Sequence, residues 1–201
     1  MKKLALSVIA ILSISLASNA QAFEKGGKYI SLGLGGANFW HIYTDATYNS
    51  YYGFGGYTPI TGQLSVQGEF SVHEYVGVGF TAGIGGRAGG GISRFGFGYT
   101  GYSPEFNIPV GVIANFHFYQ LIADKVGKDI HSDKLDVYAG LNIGSGVAIL
   151  PNSGSTDFAA LFFVGPQVGA RYFFTPNMAA NLEVGYGKTW VNGGLTFKIG
   201  K

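Results

Sequence analysis

The chain of 201 residues lacks cysteine entirely, carries few charged residues and, after its first 22 residues, has no apolar run long enough for a transmembrane helix. A chain without cysteine has no disulfide framework, so its stability must come from a large core or from a closed hydrogen-bonded framework. Charged residues make up only 12% of the sequence, whereas 34 residues are glycine, 16 are phenylalanine and 13 are tyrosine. Glycine packs poorly in soluble strands but suits crowded barrel interiors, so this composition favours a small β-barrel.

Residues 1 to 22 have the features of a secretory signal peptide. Lys2 and Lys3 supply a positive start, an apolar stretch follows, and Ala20-Gln21-Ala22 provides small residues at a cleavage site. The apolar stretch is short for a retained membrane anchor, which is the competing interpretation, and a lipoprotein would need a cysteine at the cut. We therefore expect a mature domain of residues 23 to 201.

Cleavage of this signal would also remove the net charge of the chain. The full sequence has 13 basic and 11 acidic residues, and loss of Lys2 and Lys3 leaves 11 of each. A mature chain with zero formal charge gives no support for nucleic-acid binding or for docking on anionic surfaces.

Eight segments alternate apolar and polar residues with a period of two, which is the pattern of β-strands. They cover residues 28 to 37, 62 to 72, 75 to 85, 104 to 118, 134 to 148, 162 to 174, 178 to 187 and 190 to 199. An even number of strands returns both termini to one side of a membrane, as single-chain bacterial barrels require. The pattern predicts an all-β fold, an eight-stranded antiparallel up-and-down transmembrane β-barrel.

The orientation of the two strand faces separates a membrane barrel from a soluble one. In the seventh segment, Leu182 and Val184 lie on one face and Asn181 and Glu183 on the other. A membrane barrel turns the apolar face outward, and residues 76 to 84 would span about 21 Å along the normal at a tilt of roughly 40°, close to the ~25 Å apolar band. A soluble exported barrel is the alternative fold.

The links between segments also alternate in length, as short periplasmic turns and long extracellular loops do. Short links at residues 73 to 74 and 175 to 177 are interleaved with long ones at 38 to 61, 86 to 103 and 149 to 161. Two links depart from this pattern. The apolar spacing in residues 119 to 133 predicts a short amphipathic helix at the inner rim, and the last outer link, near Lys188-Thr189, is very tight.

The inward faces of the segments carry a predicted polar cluster of Glu69, Arg171, Asn181, Glu183 and Lys198. A three-residue turn at Pro176 places Arg171 opposite Asn181 and diagonal to Glu183. A tight turn at residues 188 to 189 would bring Lys198 near Asn181 and Glu183. Eight strands enclose just enough space for side chains, so we expect a salt-bridged plug rather than an open channel.

Aromatic residues mark both predicted ends of the barrel. Phe70, Tyr75, Phe116, Phe118, Tyr172 and Phe174 fall at proposed periplasmic ends, as interfacial girdles do. At the other end, candidate extracellular contacts are interleaved with glycine and serine, a mixture used in binding loops: Tyr43, Tyr51, Tyr52, Tyr57, Phe97 and Tyr99. Loops that fold back to cap the barrel mouth are the other interpretation.

The signal, the eight segments and the closing stretch GARYFFTPNMAANLEVGYGKTWVNGGLTFKIG resemble the small bacterial outer-membrane β-barrel proteins, also described as the porin family or outer-membrane beta-barrel domain. The resemblance covers residues 23 to 201. It implies the outer membrane of a Gram-negative-type bacterium, contact with outer-membrane lipid, insertion by the barrel-assembly machinery and a monomeric state. Such barrels typically end on an aromatic residue, whereas here Phe197 precedes the terminal Lys201 by four positions.

Members of this group serve as channels, adhesins, envelope-stabilising proteins and occasionally lipid-modifying enzymes, so the resemblance leaves the activity open. We expect a non-enzymatic protein with a structural or surface-interaction role through its extracellular loops. Whether these loops bind an extracellular ligand is not decided by the sequence. A narrow porin-like channel for small solutes is the alternative.

Signals for catalysis or cofactor binding are weak. Gly96 to Gly101 match a dinucleotide fingerprint, but no helix pattern follows, and residues with metal-ligand spacing are absent from the sequence. The lipid A enzymes among such barrels place a histidine and a serine near the outer leaflet, and only His41, Asp45 and Ser50 fit that arrangement. They share one loop, so we predict no enzyme activity and no cofactor.

Overall fold

The computed structural model describes residues 22–38, 58–93, 96–99, 104–126, 130–152, 154–185 and 189–200. This part of the chain forms nine strands and one helix, almost all of it extended. The elements are β1 Lys28–Asn38, β2 Thr58–His73, β3 Val76–Ser93, β4 Gly96–Tyr99, β5 Glu105–Phe116, α1 Phe118–Val126, β6 Leu135–Asn152, β7 Ser155–Thr175, β8 Met178–Gly185 and β9 Thr189–Gly200.

Eight of these strands close into a ring. The hydrogen-bonded order is β1, β2, β3, β5, β6, β7, β8 and β9, all antiparallel, and β9 pairs back with β1 from Lys28↔Gly200 to Asn38↔Thr189. The short strand β4 adds only to the end of β3, where Ser93 pairs with Gly96. The predicted eight-stranded antiparallel barrel is confirmed.

The apolar faces of the strands point outward and the polar faces point inward. In β5, Ile108, Val110 and Val112 are exposed, whereas Asn107 and Asn115 are buried. The same inversion runs round the ring, where large apolar side chains such as Leu34, Leu64, Ile84, Leu141, Val164 and Leu182 form an exposed belt. A barrel with a polar interior and this continuous apolar belt is built for lipid rather than for water, so the soluble alternative is excluded.

The strands on the extracellular side are longer than predicted. The links expected at residues 149 to 161 and 86 to 103 are largely strand, because β6 and β7 continue to a two-residue connection after Asn152 and because β3 continues to Ser93 and pairs with β4. Beyond the bilayer the exterior no longer has to be apolar, so the period-two pattern fades while the backbone pairing continues.

The periplasmic end has two tight turns and one helix. The turns lie between β2 and β3 and between β7 and β8, as predicted, and the amphipathic helix expected in residues 119 to 133 is α1. In the described part of the chain, no helix is both long and apolar enough to cross a membrane.

Candidate functional site in the barrel interior

Glycine makes room for the large interior side chains. A Cβ atom at Gly169 would lie 2.5 Å from the hydroxyl oxygen of Tyr138, and one at Gly83 would lie 2.7 Å from the amide nitrogen of Gln63. Real Cβ atoms do not approach other atoms so closely, so a side chain at either position would displace its neighbour. The high glycine content therefore serves a filled interior, in which a bulky side chain on one strand faces glycine on the next.

An ion pair crosses the middle of this interior. Arg171 on β7 and Glu69 on β2 are 0% and 1% exposed, and the guanidinium Nη2 donates to Glu69 Oε2. The two strands are four positions apart in either direction round the ring, so the bond spans its full width. Arg171 Nη1 also lies 3.5 Å from Asp136 Oδ2 on the adjacent strand β6. One cation therefore holds two carboxylates in a buried site.

His117 joins the two carboxylates from the periplasmic side. Its Nδ1 is 2.7 Å from Asp136 Oδ1 and its Nε2 is 3.1 Å from Glu69 Oε1, while Asn115 Nδ2 donates to the same Glu69 oxygen at 2.8 Å. Glu69 thus has three partners, one from β7 and two from β5 and the residue that follows it. We refer to Glu69, Asp136, Arg171, His117 and Asn115 as the charged layer.

Two tyrosines contact Arg171, and one of them, Tyr138, links the charged layer to a further carboxylate. The guanidinium of Arg171 lies 4.5 Å from the ring centroid of Tyr138 and 5.6 Å from that of Tyr29, within the range of cation–π contacts. The Tyr138 hydroxyl donates to Glu183 Oε1 at 2.9 Å. Gln167 Nε2 donates to Asn115 Oδ1 at 2.8 Å. The interior polar groups are thereby linked round the ring.

Apolar side chains close the interior on both sides of the charged layer. On the periplasmic side, Phe23 is buried and its ring stacks on that of His117, with 3.3 Å between centroids. In the mature segment it belongs to a cluster with Tyr29, Phe173 and Ala179. On the extracellular side, Ala148, Leu161 and Phe163 form a second buried cluster. The charged layer therefore lies between two apolar layers.

The residues predicted from the sequence to form the polar cluster all point inward, but they do not all meet. Glu69, Arg171, Asn181 and Glu183 are buried, and Arg171 pairs with Asn181 across the turn at Pro176, as expected. The expected ion-pair partner of Arg171 was Glu183. The partners observed are Glu69 and Asp136, because the long side chain reaches across a ring that is narrow enough to be spanned.

The expected position of Lys198 is wrong. Met178 pairs with Phe197, so the Lys198 backbone N–H bonds the Asn177 carbonyl at 2.9 Å, at the periplasmic turn and far from Glu183 along β8. Its amine pairs with Glu24 Oε1 at 2.5 Å. The prediction failed because Thr189 begins β9 instead of forming the preceding turn, which shifts the register.

Most of the residues proposed for extracellular contacts fall outside the described part of the chain. This applies to Tyr43, Tyr51, Tyr52 and Tyr57, and also to His41, Asp45 and Ser50, considered above for catalysis. The backbones of Phe97 and Tyr99 lie in β4. Within the described ranges, no group of three His, Asp or Glu residues is placed to hold a metal ion.

Two contributions to the interior were missed by sequence reasoning. His117 follows the last residue of β5, and its role depends on carboxylates from β2 and β6, which no local pattern relates. Phe23 precedes the first alternating segment, and its burial carries no period-two signal. The inward position of Asp136 was readable from the alternation, but its pairing with Arg171 required the β6–β7 register.

The periplasmic rim is tied together outside the membrane-spanning strands. The Tyr75 hydroxyl in the β2–β3 turn donates to Asp124 Oδ2 in α1 at 2.9 Å, and this hydrogen bond to a carboxylate raises the pKa of the Tyr75 phenol. The Tyr119 hydroxyl donates to the Ile130 carbonyl at 2.5 Å. These bonds fix α1 against the ends of the strands.

No family model matches the chain, and no curated protein matches it. Several solved structures match the chain in fold. The N-terminal beta-barrel domain of Pseudomonas aeruginosa OprF is 12% identical with a TM-score of 0.51, the match covering 87% of this chain and 97% of that one. Ail of Yersinia pestis is 15% identical with a TM-score of 0.45, over 86% and 94% of the two chains. Neisserial surface protein A is 12% identical with a TM-score of 0.45, over 86% and 96%.

The likeness to the OprF domain concerns the fold, and it agrees with the closed ring, the polar interior and the exposed apolar belt. Such a belt requires a surrounding hydrocarbon layer, and closed β-barrels of this kind are the spanning structures of bacterial outer membranes. The protein is an outer-membrane β-barrel.

Proposed function

We propose that the protein is a non-enzymatic outer-membrane protein whose barrel is closed to solutes and acts as a rigid support for extracellular loops. The observation that supports this most directly is the ion pair between Arg171 and Glu69, which spans the interior between two apolar layers. A hydrated ion passing this point would have to separate the pair and lose its own water between Phe23 and Phe163. Both steps are costly in a low-dielectric interior.

The height of the β6–β7 hairpin supports the surface part of the proposal. Along β7, the outward side chains from Phe174 to Phe158 span sixteen residue steps, about 42 Å along the normal at ~3.4 Å per residue and a tilt of roughly 40°. This exceeds the ~25 Å apolar band of such barrels. The hairpin thus projects above the bilayer, where contact with an extracellular ligand or with neighbouring envelope components would occur. Assembly by the barrel-assembly machinery and a monomeric state are parts of the same proposal.

Conductance in a planar bilayer tests the closed barrel. We expect the purified protein to produce no stable openings. The matched variant Arg171→Ala/Glu69→Ala removes the ion pair while keeping both apolar layers, so any conductance gained by this variant alone would identify the pair as the barrier. Stable, ohmic openings of the unmodified protein would instead establish a narrow channel and overturn the proposal.

Complementation separates a loop-mediated role from a purely structural one. A strain lacking the gene would receive either the native protein or a variant with Tyr43, Tyr51, Tyr52 and Tyr57 replaced by serine, and surface binding and detergent sensitivity would be compared. Restoration of surface binding by the native protein alone is the expected result. Equal restoration by both would limit the protein to an envelope-stabilising role.

A further inference from the structure

The helix α1 turns its apolar face away from the barrel. Only Gln120 and Ala123 of this helix are buried, whereas Ile122 and Val126, one turn apart, are 45% and 50% exposed. At about 100° per residue, Phe118, Tyr119 and Lys125 fall within a quarter turn of the centre of this exposed pair. The usual arrangement of a surface helix, with apolar residues inward and polar residues outward, is therefore reversed.

The polar side chains of α1 are engaged on the other side. Gln120 Nε2 donates to Asp124 Oδ1 at 3.1 Å, and Asp124 Oδ2 accepts from Tyr75 at 2.9 Å. These bonds hold the only acidic side chain of the helix toward the β2–β3 turn. The exposed face that remains is apolar and carries one charge, on Lys125.

The position of α1 along the barrel identifies what this face meets. Phe116, the last residue of β5, is exposed within the apolar belt, and α1 begins two residues later. Phe70 and Phe174, in the strands that end at the same rim, are exposed as well. The helix α1 therefore begins at the periplasmic edge of the lipid-facing wall.

From this arrangement we infer that α1 is an interfacial helix that inserts Ile122 and Val126 into the periplasmic leaflet of the outer membrane. Lys125, beside them, extends its stem along the apolar face and places its amine at the phospholipid phosphates. The bilayer is the occupant because both the apolar side chains and the single cation suit it, and because the helix starts where the lipid-facing wall ends. This inference concerns the periplasmic rim and is independent of the proposed closure of the interior.

Site-directed spin labelling tests the inference directly, since the chain has no cysteine of its own. Single variants Ile122→Cys, Val126→Cys and Asp133→Cys would be labelled and reconstituted in vesicles of phosphatidylethanolamine and phosphatidylglycerol. Asp133 is exposed in the same connection and serves as the aqueous control, while Val78→Cys on the barrel wall serves as the lipid control. Collisions with oxygen and with a water-soluble nickel chelate would then be compared.

At Ile122 and Val126 we expect an oxygen-to-nickel collision ratio several-fold above that at Asp133 and approaching that at Val78. A ratio equal to that at Asp133 would overturn the inference, because the face would then lie in water. Exclusion of both reagents would also overturn it, since it would indicate packing against a second copy of the chain. If one labelled variant fails to fold, the other position carries the test alone, and circular dichroism of each variant checks the barrel.

Discussion

Arg171 on β7 donates to the Glu69 carboxylate on β2, and the two strands lie on opposite sides of the ring, so a single side-chain bond connects the two halves of the wall. The two residues are separated by 102 positions in the sequence. The bond therefore stabilises the cross-section of the barrel in a way that the backbone ladder between neighbouring strands does not.

Removal of Arg171 should be strongly destabilising. Arg171→Met leaves Glu69 and Asp136 buried without their cation, and breaking a buried pair in this way typically costs about 3–5 kcal/mol. Chemical unfolding in vesicles would measure the loss. The double variant Arg171→Met/Glu69→Gln should be less destabilised than the single one, because it removes one of the unpaired charges. Equal stability of Arg171→Met and the native protein would show that the pair contributes nothing.

The fit between Tyr138 and Gly169 predicts a position-specific effect of a single methyl group. Gly169→Ala should force the Tyr138 ring away from Glu183 and destabilise the barrel by about 1–3 kcal/mol, as overpacking does. Gly36→Ala is the matched control, since a Cβ atom there would meet nothing within 4 Å. Thermal unfolding of both variants distinguishes a filled interior from a spacious one. Equal melting temperatures would contradict the filled interior.

The lipid-facing belt predicts a cost of charge that depends on depth. Leu182 is 55% exposed near the middle of β8, whereas Ile199 is 59% exposed at the periplasmic end of β9. Leu182→Arg should cost roughly 2–4 kcal/mol and Ile199→Arg only about 0–1 kcal/mol, because the cost falls toward the interface. Reversible unfolding in vesicles gives both values. Equal costs at the two sites would contradict the placement of the membrane.

The N-terminal segment should act as the periplasmic closure of the mature protein. We propose cleavage after Ala22, so the exported protein should have the mass of residues 23 to 201. Phe23→Ala then removes the ring that stacks on His117 and Tyr29, and loss of a buried phenylalanine typically costs about 3–5 kcal/mol. Amide hydrogen exchange should rise first at the periplasmic ends of β1 and β5. Unchanged exchange there would show that the segment is not packed.

The sequence predicts the wall of this barrel well and its interior only in part. The two faces of each strand can be predicted from the alternation, because each side chain in the membrane faces either lipid or the interior. The pairing of Arg171 with Asn181 can be predicted from the short turn between their strands. The partner of Arg171 could not be predicted, because it depends on the width of a ring that no local pattern describes. Lys198 was misplaced because moving one turn residue into β9 shifts every later contact of that strand.

The closure of β1 against β9 has a consequence for biogenesis. Until β9 has paired with them, β1 and β8 are edge strands with unpaired backbone N–H and C=O groups, and their outer faces are apolar. Unpaired strand edges and exposed apolar surface together promote aggregation. High contact order makes such a topology slow to fold. We therefore expect the chain to aggregate readily before closure, and a product truncated within the twelve residues of β9 should be degraded rather than inserted.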